Sequence, residues 1–293
     1  MRATMTFKRI IPALVVAAGT LILAGQPVAA QDHGTPEPPA LKWSFSGPFG
    51  KFDRGQLQRG FKVYREVCAN CHSLSLVSFR NLFEKGGPEF SEAQAQTVAA
   101  EFKVKDGPND QGQMFDRPGR LADRFPAPFP NEQAARFANG GAYPPDMSVI
   151  VKARTYERGF PRFLMDLVTQ YQEQGADYLA ALLKGYEKMP DGMKMAPGMM
   201  YNKYFPGHGI AMPPPISDGQ VAYDDGSPAT IDQYARDVTA FLAWTAEPHL
   251  EKRKQTGFVV IVFLIVLSGL LYFTKKRVWH DVHMHPEELS KKS

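Results

Sequence analysis

Cysteine is almost absent from this chain of 293 residues, which contains only Cys68 and Cys71. A fold held by several disulfides is therefore excluded. A cysteine-rich zinc site is also disfavoured, because structural zinc takes four Cys or His ligands at clustered spacings and the next histidine after His72 is His208. Strand-like alternation is scarce and no internal repeat is present, so a mainly helical chain with long loops is expected.

The positive charge of the chain is unevenly placed. Of the 34 lysines and arginines, three lie in residues 1–30 and five lie from residue 274 onwards, which leaves 26 against 27 acidic residues between them. This central part is nearly neutral and lacks a basic patch interleaved with aromatic side chains, which excludes nucleic acid as a partner. A mildly acidic face would instead steer a small basic protein at low salt.

Both cysteines belong to the pentapeptide Cys68-Ala69-Asn70-Cys71-His72, which has the C-x-x-C-H pattern of c-type haem attachment. Two intervening residues place the thiols one helical turn apart, so both reach one edge of a flat ring, and the adjacent imidazole becomes the proximal iron ligand. Two other readings are a thioredoxin-like dithiol and a structural disulfide. The first lacks a surrounding parallel-sheet pattern, and the second would close too small a loop to stabilise much.

The N-terminus predicts a secretory signal peptide over residues 1–30. Three basic residues precede an apolar run over residues 10–23, and small residues at positions 28–30 fit a cleavage site before Gln31. An uncleaved anchor is the alternative, but the apolar run is short for a membrane span. Export agrees with the motif, because c-type haem is attached on the exported side of the membrane.

A second apolar run, residues 257–274, predicts a transmembrane helix. Residues 257–273 carry no charge, so this segment is too apolar to form an amphipathic helix with one face in water. Its length suffices to span a bilayer. A buried core helix is the alternative. Basic residues flank the run on both sides, so the predicted signal peptide decides the orientation. Residues 31–256 are then the exported domain, and residues 275–293 form a cytoplasmic tail.

Apolar residues at helical spacing locate the main helices of the exported domain. Leu57, Phe61 and Tyr64 predict a helix that delivers the haem motif. Shorter helical patterns occur within residues 159–175 and 178–183, whereas residues 104–131 are rich in Gly, Pro and Asp and are expected to be irregular.

A longer apolar stripe begins at Thr230, and Thr230 with Gln233 resembles a capping box. Pro248 is expected to interrupt this helix before the span. The predicted fold is therefore mainly α, a cytochrome c-like haem domain with long loops and one C-terminal transmembrane helix.

A six-coordinate electron carrier needs a distal iron ligand, and methionine raises its potential relative to a second histidine. Met212 is the preferred candidate among twelve methionines, because three prolines directly after it stiffen its segment and it lies 140 residues beyond His72. His208 is the alternative ligand. The methionine cluster at positions 189–200 is expected to fill gaps in the hydrophobic core. The remaining histidines lie near the chain ends or beyond the span, at positions 33, 249, 280, 283 and 285.

The chain resembles the cytochrome c1 family of the cytochrome bc1 complex in its bacterial form, from about Phe49 to Lys276. Ordered motifs carry the resemblance, at residues 59–73, 107–110, 117–119, 141–146, 150–154, 201–207 and 211–216. Residues 155–175 depart from shorter family members. Some bacterial relatives have an extra disulfide near the haem, for which this chain has no cysteines.

The resemblance implies one haem c joined through Cys68 and Cys71, with His72 and Met212 as iron ligands. Arg154 is implied as the partner of a haem propionate, which a guanidinium binds with two hydrogen bonds. The positions implied to line the haem pocket are Asn139, Ala142, Pro145, Tyr178 and Phe205.

The resemblance also implies an electron-transfer subunit without bond chemistry of its own, and therefore not an enzyme by itself. It would take electrons from the Rieske iron–sulfur protein and pass them to a soluble cytochrome c in a respiratory or photosynthetic chain. Cytochrome b would be its membrane partner, within a dimeric complex of the inner membrane, with the haem domain periplasmic. Two rivals stay open, namely an anchored cytochrome of another redox pathway and a haem enzyme or sensor with an open iron.

Overall fold

The computed structural model describes residues 34–156, 158–169 and 172–284. The predicted signal peptide and residues 285–293 of the predicted tail lie outside these ranges. The described chain is mainly helical, as predicted. In chain order its elements are α1 (Arg54–Glu66), α2 (Glu92–Ala100), β1 (Lys103–Asp106), β2 (Phe115–Pro118), α3 (Glu132–Ala138), α4 (Ile150–Ala153), α5 (Arg162–Thr169), α6 (Gln174–Lys184), β3 (Met200–Tyr201), β4 (Gly209–Ile210), α7 (Ile231–Ala246) and α8 (Leu250–Met284).

The core forms around α7, against which α1, α4 and α6 pack. The predicted stripe of α1 is confirmed, since Leu57, Phe61 and Tyr64 are all buried. Gly60 lets the two helices come close, because a Cβ at this position would collide with the backbone oxygen of Asp237 and lie 2.7 Å from the Cβ of Phe241. The close crossing fixes the end of α1, from which the haem motif follows.

The N-terminus of α7 differs in one detail from the predicted capping box. The Thr230 hydroxyl accepts from the Gln233 backbone N–H, as expected. The Gln233 side chain does not return to the cap, but donates to the carboxylate of Asp237 at 2.9 Å. Asp237 is fully buried and also accepts from Arg59 at 2.9 Å. A buried carboxylate needs hydrogen-bond partners, so the Gln233 side chain bonds to Asp237 instead of to the backbone N–H of Thr230, which a full capping box would require.

The prediction that residues 104–131 are irregular is wrong for a short hairpin. Strands β1 and β2 pair antiparallel, with Lys103 opposite Pro118. Arg117 on β2 pairs with Asp106 on β1 and with Asp123 beyond it, the latter at 2.6 Å. Ion pairs hold this hairpin together, and neither strand packs a buried face against the core. A regular alternation of apolar and polar residues is therefore not required. The sequence pattern therefore gave no strand signal.

The helical predictions near the middle of the chain are confirmed. Helix α5 lies within the predicted helical pattern at residues 159–175, and α6 covers the pattern predicted at residues 178–183. Residues 175–182 of α6 are all buried, so α6 is a core helix rather than an amphipathic one. Positions 170 and 171 of the range 159–175 lie outside the described residues. Pro248 interrupts the chain as expected, since α7 ends at Ala246 and α8 begins at Leu250.

Helix α8 is the one described helix long and apolar enough to cross a membrane, over residues Leu250–His280. Its 35 residues correspond to about 52 Å at 1.5 Å per residue. It therefore extends past the predicted apolar run at both ends, through the charged flanks. None of its apolar window is buried in the domain, so the alternative of a buried core helix is excluded.

Candidate functional site

The C-x-x-C-H motif forms a single closed turn directly after α1. Cys68 begins a 3₁₀ helix, and its carbonyl accepts from the N–H of Cys71 at 3.1 Å and from the N–H of His72 at 2.9 Å. The Asn70 amide donates to the carbonyl of Glu66, which closes the end of α1. The two sulfurs therefore belong to adjacent positions of one turn, as the spacing predicts.

The two thiols are not joined to each other, and they differ in exposure. Cys68 is buried, whereas Cys71 is exposed. Burial, followed by the charge of Cys71, raises the pKa of the Cys68 thiol to about 12. A redox dithiol works through a thiolate of lowered pKa, so this environment disfavours the thioredoxin-like reading.

His72 is held in the form that a metal ligand requires. The side chain is nearly buried, and its Nδ1 lies 2.8 Å from the carbonyl oxygen of Pro145. Burial lowers the pKa of His72, although the Pro145 carbonyl and the charge of Asp146 partly oppose this, and the shift favours the neutral imidazole. Because a carbonyl can only accept, Nδ1 carries the proton, which leaves the lone pair of Nε2 available to a metal.

Asp146 ties the Pro145 loop to the chain that follows the motif. Its carboxylate accepts from the Ser73 hydroxyl at 2.8 Å, from the Ser75 N–H at 2.9 Å and from the Ser148 N–H at 2.8 Å. Sequence reasoning missed Asp146, although it follows Pro144-Pro145 in one of the motifs that carry the resemblance. Its contacts keep the Pro145 carbonyl beside His72.

The carboxylate of Asp146 predicts an acid-dependent loss of stability. Burial alone would raise the pKa of Asp146, but hydrogen bonds from Ser148, Ser75 and Ser73 outweigh it and lower the pKa to about 2. Since this value is below that of an unfolded aspartate, about 3.9, the stabilisation is complete above about pH 4 and disappears as the pH falls towards 2. For Asp146→Asn we expect a loss on the order of 1 kcal/mol at pH 7, after allowance for partial solvent screening.

Chemical unfolding of the wild type and Asp146→Asn at pH 7, 4 and 2.5 measures this difference. Asp116→Asn is the matched control, because Asp116 is an exposed acid on β2. The control should unfold like the wild type at each pH. A difference for Asp146→Asn that stays constant from pH 7 to pH 2.5 would contradict the assignment.

The segment that carries Met212 is held by contacts before Met212 and at Met212 itself. Before it, β4 pairs with β3. At Met212 itself, the Tyr186 hydroxyl donates to the backbone carbonyl at 3.0 Å, and the half-buried side chain packs against the core. By contrast, Met189 and Met199 of the methionine cluster are exposed. Met193 and Met195 of the same cluster are half-buried as Met212 is, so burial alone does not distinguish these thioethers and the assignment of Met212 stays a prediction.

His208, the alternative ligand, takes part in the β3–β4 turn. Its ring stacks on Tyr201 with 5.4 Å between centroids, and its Nδ1 lies 3.3 Å from the carbonyl of Asn202. Its backbone adopts a positive φ of 61°. These contacts give His208 a local structural role. They do not involve its Nε2.

Three of the predicted pocket residues lie on one loop after α3. The Asn139 side chain donates to the Ala135 carbonyl at 2.7 Å, and the N–H of Ala142 donates to the Asn139 carbonyl at 3.1 Å. This turn leads directly to Pro145, the partner of His72. Asn139 and Ala142 are therefore brought towards the motif by the same loop.

The other predicted residues lie on different elements. Tyr178 is buried on α6, and Phe205 is half-buried before β4. Arg154 is exposed directly after α4. Burial raises the pKa of Tyr178, and the positive charge of Arg154 partly opposes the increase, which places the two residues near each other. The implied role of Arg154 as the partner of a haem propionate stays a prediction.

A mainly helical domain with a C-x-x-C-H turn, a neutral histidine and one C-terminal span defines the class of membrane-anchored cytochromes. The sequence model of the Cytochrome C1 family matches residues 43–282. The chain therefore belongs to the cytochrome c1 family. This membership supports a role in electron transfer within the cytochrome bc1 complex.

Curated relatives agree with the family match. The chain is 64% identical over 270 residues to cytochrome b/c1 of Bradyrhizobium diazoefficiens, an alignment that covers 92% of this chain and 39% of that longer protein. It is 48% identical over 281 residues to cytochrome c1 of Blastochloris viridis, which covers 95% of this chain and 98% of the relative. The mitochondrial cytochrome c1 haem protein of Saccharomyces cerevisiae is 43% identical, with 89% of this chain and 77% of the relative covered.

Proposed function

We propose that this chain carries electrons from a Rieske iron–sulfur protein to a soluble cytochrome c through one covalently held haem. The observation that carries the proposal is His72, held neutral against Pro145 within a C-x-x-C-H turn. Relatives from potato and yeast are named haem proteins, which supports haem as the cofactor. When bound, haem c supplies the one-electron Fe(III)/Fe(II) couple.

The residues of the chain bind and orient this group and perform no bond chemistry during turnover. Cys68 and Cys71 hold it through two thioether links, and His72 presents Nε2 to the iron. Met212 supplies the distal thioether from a segment fixed by Tyr186. Electrons would enter and leave through the part of the bound haem that the chain leaves accessible to its redox partners.

The membrane arrangement follows from the two ends of the chain. The signal-like N-terminus supports export of the haem domain to the periplasmic side of the inner membrane, which leaves the C-terminus cytoplasmic. Helix α8 would pack against cytochrome b, within a dimeric complex. The apolar side chains of α8 are exposed over residues 258–266, which supports a helix covered by lipid and by other subunits.

A deletion strain tests this function directly. Membranes without the chain should lose quinol–cytochrome c reductase activity, and the wild-type chain should restore it. In restored membranes, quinol should reduce the haem of this chain rapidly, and removal of the Rieske protein should prevent that step while dithionite still reduces the haem. Full reductase activity in the deletion strain would contradict the proposal and favour a cytochrome of another pathway.

A further inference from the structure

A cavity of about 340 Å³ lies where the exported domain meets the first turn of α8, away from the haem motif. Neither cysteine, His72 nor Met212 lines it. Four parts of the chain meet there, namely the loop at residues 45–48, α4, the start of α6, and the segment that joins α7 to α8. Its walls thus include both the domain and the membrane anchor.

The cavity lies at the level of the lipid headgroups. Arg253 and Lys254 line it and precede Gly257, where the apolar run begins, by three or four residues, which corresponds to about 5 Å along a helix. The headgroup layer on each side of a bilayer is itself about 5–7 Å thick. Arg253 therefore lies within this layer when the apolar run spans the membrane.

A second observation fixes the same level. Phe49, next to the cavity loop, packs edge to face on Phe258 with 5.6 Å between ring centroids. Phe258 is the second residue of the apolar run, and the Phe49 side chain is still 72% exposed. An apolar ring that remains this exposed beside the apolar run is suited to contact with lipid. The chain next to Pro48, which lines the cavity, therefore lies at the level where the apolar run begins.

The cavity presents two cations that one carboxylate fixes side by side. Glu247 accepts from Lys152 at 3.0 Å through one oxygen and pairs with Arg253 through the other. The Lys152 and Arg253 side chains are nevertheless 56% and 53% exposed. Within the described ranges, the two Nη groups of Arg253 and the other Nζ hydrogens of Lys152 have no protein acceptor. Donors of this kind bind phosphate oxygens well.

The charge of the lining matches a single phosphodiester. Lys254, the third cation, donates to the carbonyls of Phe45 and Gly47, each at 2.6 Å. The carboxylates that face the cavity are Glu247 and Glu173, the latter nearly buried and bonded to the Gln172 N–H at 2.9 Å. Three cations against two carboxylates leave one positive charge, and a phosphodiester carries one negative charge.

We propose that this cavity binds the phosphodiester headgroup of a membrane phospholipid, with Lys152 and Arg253 as its phosphate ligands. The acyl chains would leave the cavity beside Phe49 and Phe258 and enter the bilayer. Such a lipid would join the domain to the anchor and hold their relative orientation. This site is separate from the proposed electron-transfer site, so either assignment can fail without the other.

Native mass spectrometry of the full-length, haem-loaded chain tests the site. After delipidation in detergent, titration with phosphatidylglycerol should add one tightly bound phospholipid to the wild type. For the double variant Lys152→Gln/Arg253→Gln we expect the affinity to fall at least about tenfold, the order expected when hydrogen bonds to charged groups are lost. Lys252→Gln is the matched control, since Lys252 is exposed beside Arg253 but does not line the cavity.

Two further probes define the chemistry of the ligand. Diacylglycerol with the same acyl chains has no phosphate and should not bind, and inorganic phosphate alone should not displace the phospholipid. Equal phospholipid binding by wild type and double variant, or equal binding of diacylglycerol, would overturn the proposal. Displacement by inorganic phosphate would also overturn it, because the ligand would then be a free anion.

The double variant could lose lipid binding simply because it misfolds. A second measurement therefore uses a protein in which Lys152 and Arg253 are both retained. A photo-crosslinking residue at Pro48, which lines the cavity, should label phospholipid in native membranes. Labelling of another polypeptide only would show that a partner subunit fills the cavity and would contradict the proposal. Lys152→Arg should keep binding within about threefold of the wild type, because the donor and the charge remain.

Discussion

Replacement of both Cys68 and Cys71 by alanine is expected to abolish covalent haem in this chain completely. The reason is chemical, since thioether links need sulfur and the chain contains no other cysteine. Non-covalent contacts through His72 would not survive denaturation. A haem-stained denaturing gel should therefore show no signal at the mass of the chain, while an immunoblot still detects the polypeptide.

The single cysteine variants test whether the haem is attached through two thioether links or through one. Cys68→Ala and Cys71→Ala should each keep one thioether, which a pyridine haemochrome spectrum reports as a shift of the α-band towards longer wavelength. We expect Cys68→Ala to fold less well, because its thiol is buried whereas that of Cys71 is exposed. The difference arises from the small cavity that a buried truncation leaves.

Asn70→Ala is the control for the double cysteine variant. It lies in the same turn, and it removes the side-chain hydrogen bonds to Glu66 and Val67 without touching a thiol. Covalent haem should remain. Haem that persists on denaturing gels of Cys68→Ala/Cys71→Ala would exclude thioether attachment at this motif.

Local patterns allowed the sequence to predict much of this fold. The spacing of Leu57, Phe61 and Tyr64 located α1, and the turn after it follows from the motif itself. The hairpin of β1 and β2 was missed because ion pairs of Arg117 hold it, and these leave no periodic signal. The predicted span at residues 257–274 lies inside α8, which is longer because a helix continues through charged flanks wherever its backbone hydrogen bonds can continue.

The site was predictable to the extent that its residues are close in sequence. Cys68, Cys71 and His72 form one pentapeptide, so their chemistry could be inferred from spacing alone. The contact that sets the tautomer of His72 joins it to Pro145, 73 positions away. Asp146, which supports that contact, acts over a similar distance. Partners so far apart are chosen by tertiary packing, which a single sequence does not display.

The distal ligand is the part of the site that only experiment can assign, and Met212→Leu provides the sharpest measurement. Leucine keeps the apolar volume but has no sulfur to bind iron. The potential should fall by on the order of tenths of a volt, within the roughly 0.8 V range that axial ligands cover. The reduced protein should also bind CO, because the sixth iron position is open, and the Met–Fe(III) charge-transfer band should disappear.

Met199→Leu is the matched control for this measurement, since Met199 is an exposed thioether of the methionine cluster. It should leave the potential and the CO response unchanged. His208→Ala tests whether His208 is the distal ligand instead. In the structure the His208 ring stacks on Tyr201 and its Nδ1 lies near the Asn202 carbonyl, whereas its Nε2 takes no part in these contacts. An unchanged potential in Met212→Leu together with CO binding in His208→Ala would assign the iron to His208. CO binding by the reduced wild type would instead indicate an open iron, and the chain would then be a haem enzyme or sensor rather than a carrier.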